Sequence, residues 1–184
     1  MKVLGVDPGL VRTGWAVVES RDGRYELLKT GLIAPRSRSE LGERLAEGFE
    51  RFNAVLEELE PDVMVIEDLF SEPRHPRSAL LMAHMRGVLC LAAGQRGLRI
   101  EPMTATTVKQ RLTGNGHASK AQVARMVLSL CDAAQAKVRA DMTDAIALAV
   151  AGLHHFERGS ALTTDDQALL TVGRRSSIVG RRQP

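Results

Sequence analysis

The chain has 184 residues, 44% of them apolar and 26% charged, with 25 Lys/Arg set against 22 Asp/Glu. That balance excludes a disordered or fibrous chain and fits one soluble globular domain long enough for a full core. No apolar run approaches the roughly 18 residues of a membrane span and no signal peptide opens the sequence, so a cytoplasmic protein with no membrane association is expected. Cys90 and Cys131 have no metal-ligand spacing, which suits buried free thiols in a reducing compartment and no zinc site. Residues 1–70 carry 9 Lys/Arg against 14 Asp/Glu, whereas residues 71–140 carry 11 against 3. A basic middle beside an acidic flank is the footprint of a polyanion binder.

Val3 to Val6 form an apolar run that delivers Asp7 and then stops. Pro8 cannot donate to a ladder and Gly9 admits positive φ, so a buried strand must end at Asp7. Open sheets place their chemistry at such ends, although an Asp before Gly also suits a plain turn cap. Thr13–Glu19 reads as a second strand and Tyr25–Ile33 as a third, joined by a hairpin at residues 21–24. In the third, Tyr25, Leu27 and Lys29 are expected to alternate with Glu26, Leu28 and Thr30.

Residues 39–59 predict a helix with Ser39 as N-cap. Leu41, Leu45, Phe49, Phe52, Leu56 and Leu59 mark its apolar face, and a solvated acidic face lies opposite. Val63–Ile66 repeat the opening device, an apolar strand that ends in a carboxylate, Glu67. A helix-linked return favours parallel pairing with the first strand, which puts Asp7 and Glu67 on one edge of the sheet. Two adjacent carboxylates repel unless a cation lies between them, and a metal ion is the simplest such cation.

Residues 78–96 predict a helix apolar on more than one face, fit for burial against the sheet and against a second subunit. Leu98–Pro102 reads as an edge strand and Thr104–Leu112 as a short helix carrying Lys109. The glycine-broken loop Thr113–Lys120 holds His117. Ser119 is expected to cap a helix from Lys120 to Cys131. Backbone amides at that helix's start, with Lys109 and Lys120, suggest a phosphate site. The last helix is expected from about Ala140 to Arg158, with Asp141 and Asp144 on one face of its first turn. One acid there suffices for dipole capping; two favour a functional reading. Residues 1–158 are thus read as the domain and 159–184 as a mobile basic tail.

Three strands, an acidic helix, a strand ending in Glu, a helix, a strand and then helices with a terminal acid pair follow the order of the α/β ribonuclease H-like fold. This predicts a five-stranded mixed sheet in which a three-strand antiparallel meander meets two parallel strands. The likeness becomes specific at Asp7-Pro8-Gly9 with Thr13-Gly14, at Ile66-Glu67 with Phe70, and at residues 83–88. It continues at Val108-Lys109-Gln110, at residues 114–120, and at Asp141-Met142-Thr143-Asp144-Ala145. As an ordered set, these resemble the RuvC crossover-junction endodeoxyribonucleases, the Holliday-junction resolvases.

That resemblance implies a homodimeric, Mg²⁺-dependent nuclease that nicks two strands of like polarity in a four-way junction. Asp7, Glu67, Asp141 and Asp144 match the family's acidic catalytic and metal-holding positions. Lys109 and Lys120 match basic residues near the scissile phosphate, and Phe70 matches an aromatic that stacks on an unpaired base at the crossover. Arg77 and His117 join them as expected DNA contacts. Two Mg²⁺ ions, replaceable by Mn²⁺, would lie about 4 Å apart. In-line attack of an activated water would leave a 3′-hydroxyl and a 5′-phosphate. The dimer is expected through residues 78–96, and a RuvA/RuvB-type branch-migration complex is the implied partner. The rival readings are an RNA-processing nuclease of the same fold, an ATPase of the sugar-kinase type, which needs a second domain, and a binding-only module, which would lack one of the acids.

Overall fold

The opening strand β1 (Lys2–Asp7) is buried from Val3 to Val6, as an apolar run with neighbours on both edges requires. It pairs antiparallel with β2 (Thr13–Arg21), which pairs antiparallel with β3 (Arg24–Ile33). On its other edge it pairs in parallel with β4 (Val63–Glu67), which in turn pairs in parallel with β5 (Arg99–Met103). The order β3-β2-β1-β4-β5 is the mixed ribonuclease H-like sheet expected from the sequence, with β5 on its edge. The computed structural model describes residues 1–68, 76–131 and 138–173, and for 76–78 and 158–173 the backbone alone.

The helices are α1 (Leu41–Leu59), α2 (Pro76–Gln95), α3 (Ala105–Thr113), α4 (Lys120–Leu130) and α5 (Ala140–Gly173). Strand side chains alternate faces with period two. Leu4, Val6, Met64 and Ile66 meet Phe52 and Leu56 of α1 and Met85 and Leu89 of α2 in one buried cluster. Val3, Gly5 and Val65 face the opposite way, onto α5, where Ala145, Ile146, Ala149, Val150 and Leu153 are fully buried. Asp7 and Glu67 continue that second series, so both carboxylates emerge on the α5 side.

Two glycines decide how closely α5 can approach. A Cβ on Gly5 would lie 2.0 Å from the Ala145 carbonyl oxygen, and one on Gly14 would lie 2.1 Å from that of Asp141. No side chain fits at either place. The first turns of α5 therefore rest directly on the backbone of β1 and β2.

The structure corrects several details. Ser39 does not cap α1: its N–H bonds to the Arg36 carbonyl in a preceding turn, and the N-cap is Glu40, whose side chain makes no capping bond. The alternation expected along β3 holds through Leu28 and fails at Lys29, which is exposed, because the register slips between Val17↔Lys29 and Val18↔Leu27. Leu28 is the extra residue of that bulge and is 36% exposed, as such residues commonly are. Within one chain α2 is buried on one side only. Met85, Leu89, Ala92 and Ala93 are buried, whereas Leu80 and Leu91 are 62% and 55% exposed.

Helix α5 continues to Gly173 rather than stopping near Arg158; Gly159-Ser160 reads as a breaker, but the Ala- and Leu-containing stretch after it favours helix. The chain forms two compact units, Met1–Leu153 and His154–Pro184. Both cysteines are free thiols, Cys131 buried and Cys90 half-buried. Among the described residues no helix is long and apolar enough to cross a membrane.

Candidate active site

Asp7 and Glu67 are the last residues of adjacent parallel strands, directly after the paired Val6 and Ile66. The pair therefore sits side by side where β1 and β4 end. Arg86 of α2 fixes that end of β4: its Nε donates to the Glu67 carbonyl at 3.1 Å, and its guanidinium pairs with Asp68 at 3.4 Å. Asp68 also donates its N–H to the Met103 carbonyl at 3.0 Å. Asp68 is thus an anchor for the strand end, and Glu67 is left to face its neighbour.

The opening turn of α5 supplies the remaining acids. Thr143 is buried, and its Oγ1 donates to the Arg139 carbonyl at 3.1 Å, which secures the helix start. With Asp141 held over Gly14 and Ala145 over Gly5, the spacing of three puts Asp141 and Asp144 on one face at the sheet's carboxyl edge. Asp7, Glu67 and Asp144, from three different elements, are therefore near enough to act on one another, with Asp141 one turn before Asp144.

Electrostatics shows how crowded that place is. Asp7 is pushed up from 3.8 to about 8, first by burial, then by the charge of Glu67 and a side-chain hydrogen bond with it, then by Asp144; only Lys120 opposes. A carboxylic acid protonated near neutral pH donates that hydrogen bond, and Glu67 accepts it. The outer acids are occupied by internal cations. Lys120 Nζ donates to Asp144 Oδ2 at 2.6 Å, and Arg12 Nε lies 3.4 Å from Asp141 Oδ2. The hydrogen bond to Asp144 holds the Lys120 ammonium above its ordinary range.

Among the described residues no three Asp, Glu, His or Cys side chains converge as tightly as a bound ion would draw them. Asp141 and Asp144 are instead paired with Arg12 and Lys120. The donor set nonetheless fits a hard divalent cation. It offers carboxylate oxygens without sulfur, and a cation relieves the repulsion that Glu67 and Asp144 add to the burial of Asp7.

A cleft beside the acids is lined by Glu67, Lys109, Lys120 and Asp144 together with Ala105, Val108, Val123, Ala147 and Leu148. Lys109 thus shares the cleft with two of the acids, as its motif suggested. From Gly114 to Ser119 every backbone N–H already has an internal acceptor: Gln110 O, Thr113 Oγ1, Gln110 Oε1, Asn115 Oδ1, Asn115 O and Gln122 Oε1 in turn. The loop's own amides are thus satisfied within the protein. Ser119 does cap α4, in a reciprocal capping box with Gln122. His117 is exposed on this loop. Phe70 lies outside the described residues, as does the Arg77 side chain.

Three groups were not legible as functional in the sequence. Arg12 has no periodicity or motif to mark it, and the position of Arg86 against Glu67 is a long-range contact. Gln110 bonds the loop twice, donating to the Gly114 carbonyl and accepting from the Gly116 N–H, both at 2.8 Å. Its place beside Lys109 in the Val108-Lys109-Gln110 motif was the one available signal.

A family model described as crossover junction endodeoxyribonuclease RuvC matches residues 3–152. The protein of that name from Rhodopirellula baltica is 38% identical over 167 residues, covering 91% of this chain and 91% of its own length. A relative of the same name from a Parafrankia species is 38% identical over 184 residues, 100% of each chain. Among solved structures, Thermus thermophilus RuvC in complex with Holliday junction substrate has a TM-score of 0.81 at 28% identity. That match covers 86% of this chain and 96% of the other.

Proposed function

The chain belongs to the RuvC crossover junction endodeoxyribonuclease family, and from that premise we propose that it resolves four-way DNA junctions by paired, symmetric nicks, in homologous recombination and repair. The observation that carries this reading is the convergence of Asp7, Glu67 and Asp144 at one sheet edge beside Lys109 and Lys120. Burial, with Glu67 and Asp144 beside it, lifts Asp7 to about 8; such an arrangement is poorly suited to stability, and a metal-dependent phosphodiester reaction gives it a use.

Asp7, Glu67, Asp141 and Asp144 would hold Mg²⁺, two ions per site, with Mn²⁺ able to substitute. The chemistry such ions supply when bound is activation of water and neutralisation of charge at the phosphate. Asp7, central among the acids, gives up its proton as the site fills. Glu67, clamped through its carbonyl by Arg86, keeps its place without rearrangement. Lys109 and Lys120 take the scissile phosphate from the cleft wall, Lys120 exchanging Asp144 for the phosphate as it does so. The braced loop carries Lys120 and His117 as one unit. Phe70 stacking on an unpaired base and Arg77 on the backbone complete the DNA contacts in this reading. The products are a 3′-hydroxyl and a 5′-phosphate.

A junction has approximate two-fold symmetry, so a two-fold dimer presents two such sites to equivalent strands. The exposed Leu80 and Leu91 of α2 support that helix as the dimer face. Cytoplasmic location and a branch-migration complex as partner belong to the same proposal. The test is cleavage of a synthetic four-way junction with Mg²⁺, beside matched duplex and structured RNA, by the parent chain and by Asp7→Asn. Selective nicking of the junction by the parent alone supports the reading; equal cleavage of duplex or RNA refutes it.

A further inference from the structure

Arg12 lies on the loop of residues 8–12 that joins β1 to β2, one loop away from Asp7. That loop is closed from two sides. The Thr13 hydroxyl donates to the Gly9 carbonyl at 3.0 Å and accepts from the Gly9 N–H at 3.3 Å, with Thr13 itself fully buried. From α1, Arg44 donates to the Leu10 carbonyl at 2.9 Å. A backbone so held presents the Arg12 side chain from a fixed point. Its Nε reaches Asp141 Oδ2 at 3.4 Å, with side chains 49% and 37% exposed.

The same device recurs one turn along α5, where Lys120, from a different element, pairs with Asp144 at 2.6 Å. Each of the two helix-borne acids is thus closed by a tethered cation. A carboxylate oxygen paired with a guanidinium is not at the same time open to a metal ion. The guanidinium's charge also repels an incoming dication. Both effects have the same sign, and both act where the divalent ion must arrive.

We propose that Arg12 is an internal counter-cation for the metal site: it holds Asp141 until a divalent ion displaces it, and so sets how tightly that ion binds. Arg12 is on this view a positioning residue that acts through Asp141, and the inference rests on the reading of Asp141 as a metal-holding side chain. Half-exposed ion pairs are modest, so removing Arg12 tightens binding by roughly two- to fivefold rather than by orders of magnitude.

The test titrates Mn²⁺ into the full chain and counts the free aquo ion by electron paramagnetic resonance, with no DNA present. Arg12→Gln is expected to bind Mn²⁺ more tightly than the parent. Arg12→Met, which keeps the aliphatic stem, must show the same tightening. Arg24→Gln removes the same charge at the far end of the sheet, where Arg21 and Arg24 pair across the hairpin, and is expected to match the parent. Binding by Arg12→Gln that equals or falls below the parent's overturns the inference, as does equal tightening by Arg24→Gln. A parent that binds no Mn²⁺, or an Asp141→Asn variant that binds as the parent does, instead removes the metal-site reading and the inference with it.

Discussion

A methyl group on Gly14 would sit 2.1 Å from the carbonyl oxygen of Asp141. Strand β2 is therefore bare at the one point where the first turn of α5 comes down, and the height of Asp141 and Asp144 above Asp7 is set by that contact. Gly14→Ala must push the turn away, since the atom met is backbone and has no rotamer to change. Overpacking of this kind costs about 1–3 kcal/mol, and a shift of about 1 Å at a reacting centre costs on the order of a hundredfold in rate. The variant should unfold several degrees lower and lose junction cleavage by a larger factor than it loses junction affinity. Parallel measurement of melting, gel-shift binding and single-turnover cleavage checks this; unaltered cleavage would show that the close approach does not set the site.

Asp7 couples the chemistry to stability. Its carboxyl titrates near 8 in the folded chain against 3.8 ordinarily. Between about pH 4 and pH 8 the folded state therefore holds a proton that the unfolded state has released. The metal-free protein should lose stability as pH rises through that window, by an amount on the order of a few kcal/mol that is fully developed above it. Asp7→Asn removes the titrating group. It should abolish cleavage, leave junction binding intact or improved, and melt higher than the parent at pH 8.5 but not at pH 4. Thermal scans across that range decide the matter; a parent whose melting is flat with pH would contradict the coupling.

The same linkage fixes how added metal acts. An ion that binds the carboxylate form competes with the proton on Asp7, so it stabilises the fold more where that proton is already weakly held. Mg²⁺ should therefore raise the melting temperature more at pH 8.5 than at pH 5.5, and EDTA should reverse the rise. An increment independent of pH would place the bound ion away from Asp7.

The sheet was legible because period-two burial, the Pro8-Gly9 break and the Pro61-Asp62 turn are local signals. Paired strand ends at Asp7 and Glu67 then followed from topology alone. What stayed hidden was long-range. Lys29 follows the alternation in sequence and breaks it in space, since a bulge depends on the partner strand. Arg12, Arg86 and Gln110 act on residues 129, 19 and at most 6 positions away, and no periodicity encodes the first two. The bracing of the 114–119 loop by its own Asn, Gln and Thr side chains was equally hidden, because the sequence does not say which acceptors they will provide.

Lys120 is the one influence that lowers Asp7. Lys120→Met should therefore act twice. Loss of a phosphate-binding cation should reduce the single-turnover rate by roughly a hundredfold. Loss of the charge beside Asp7 should also raise the Asp7 carboxyl further, moving the acid limb of the cleavage profile to higher pH at sub-saturating Mg²⁺. Lys120→Arg retains the charge and should restore the position of the limb even if the rate stays low. A Met variant whose limb does not move would separate Lys120 from Asp7.

The dimer reading is tested on α2, and the choice of residues matters. Met85 is fully buried within one chain, close to Gly48 of α1, so an acid there unfolds the protomer and reports nothing about association. Leu80 and Leu91 are 62% and 55% exposed. Leu80→Glu with Leu91→Glu therefore leaves the single-chain core untouched, while burying two carboxylates in any interface that covers this face. The doubly substituted chain should keep the parent's melting curve at low concentration yet sediment as a monomer where the parent sediments as a dimer. It should also nick junctions in one strand at a time, since paired incision needs two sites on one particle. If the variant stays dimeric, the interface lies elsewhere on the molecule. If it is monomeric but still nicks both strands together, the pairing of nicks does not depend on the dimer.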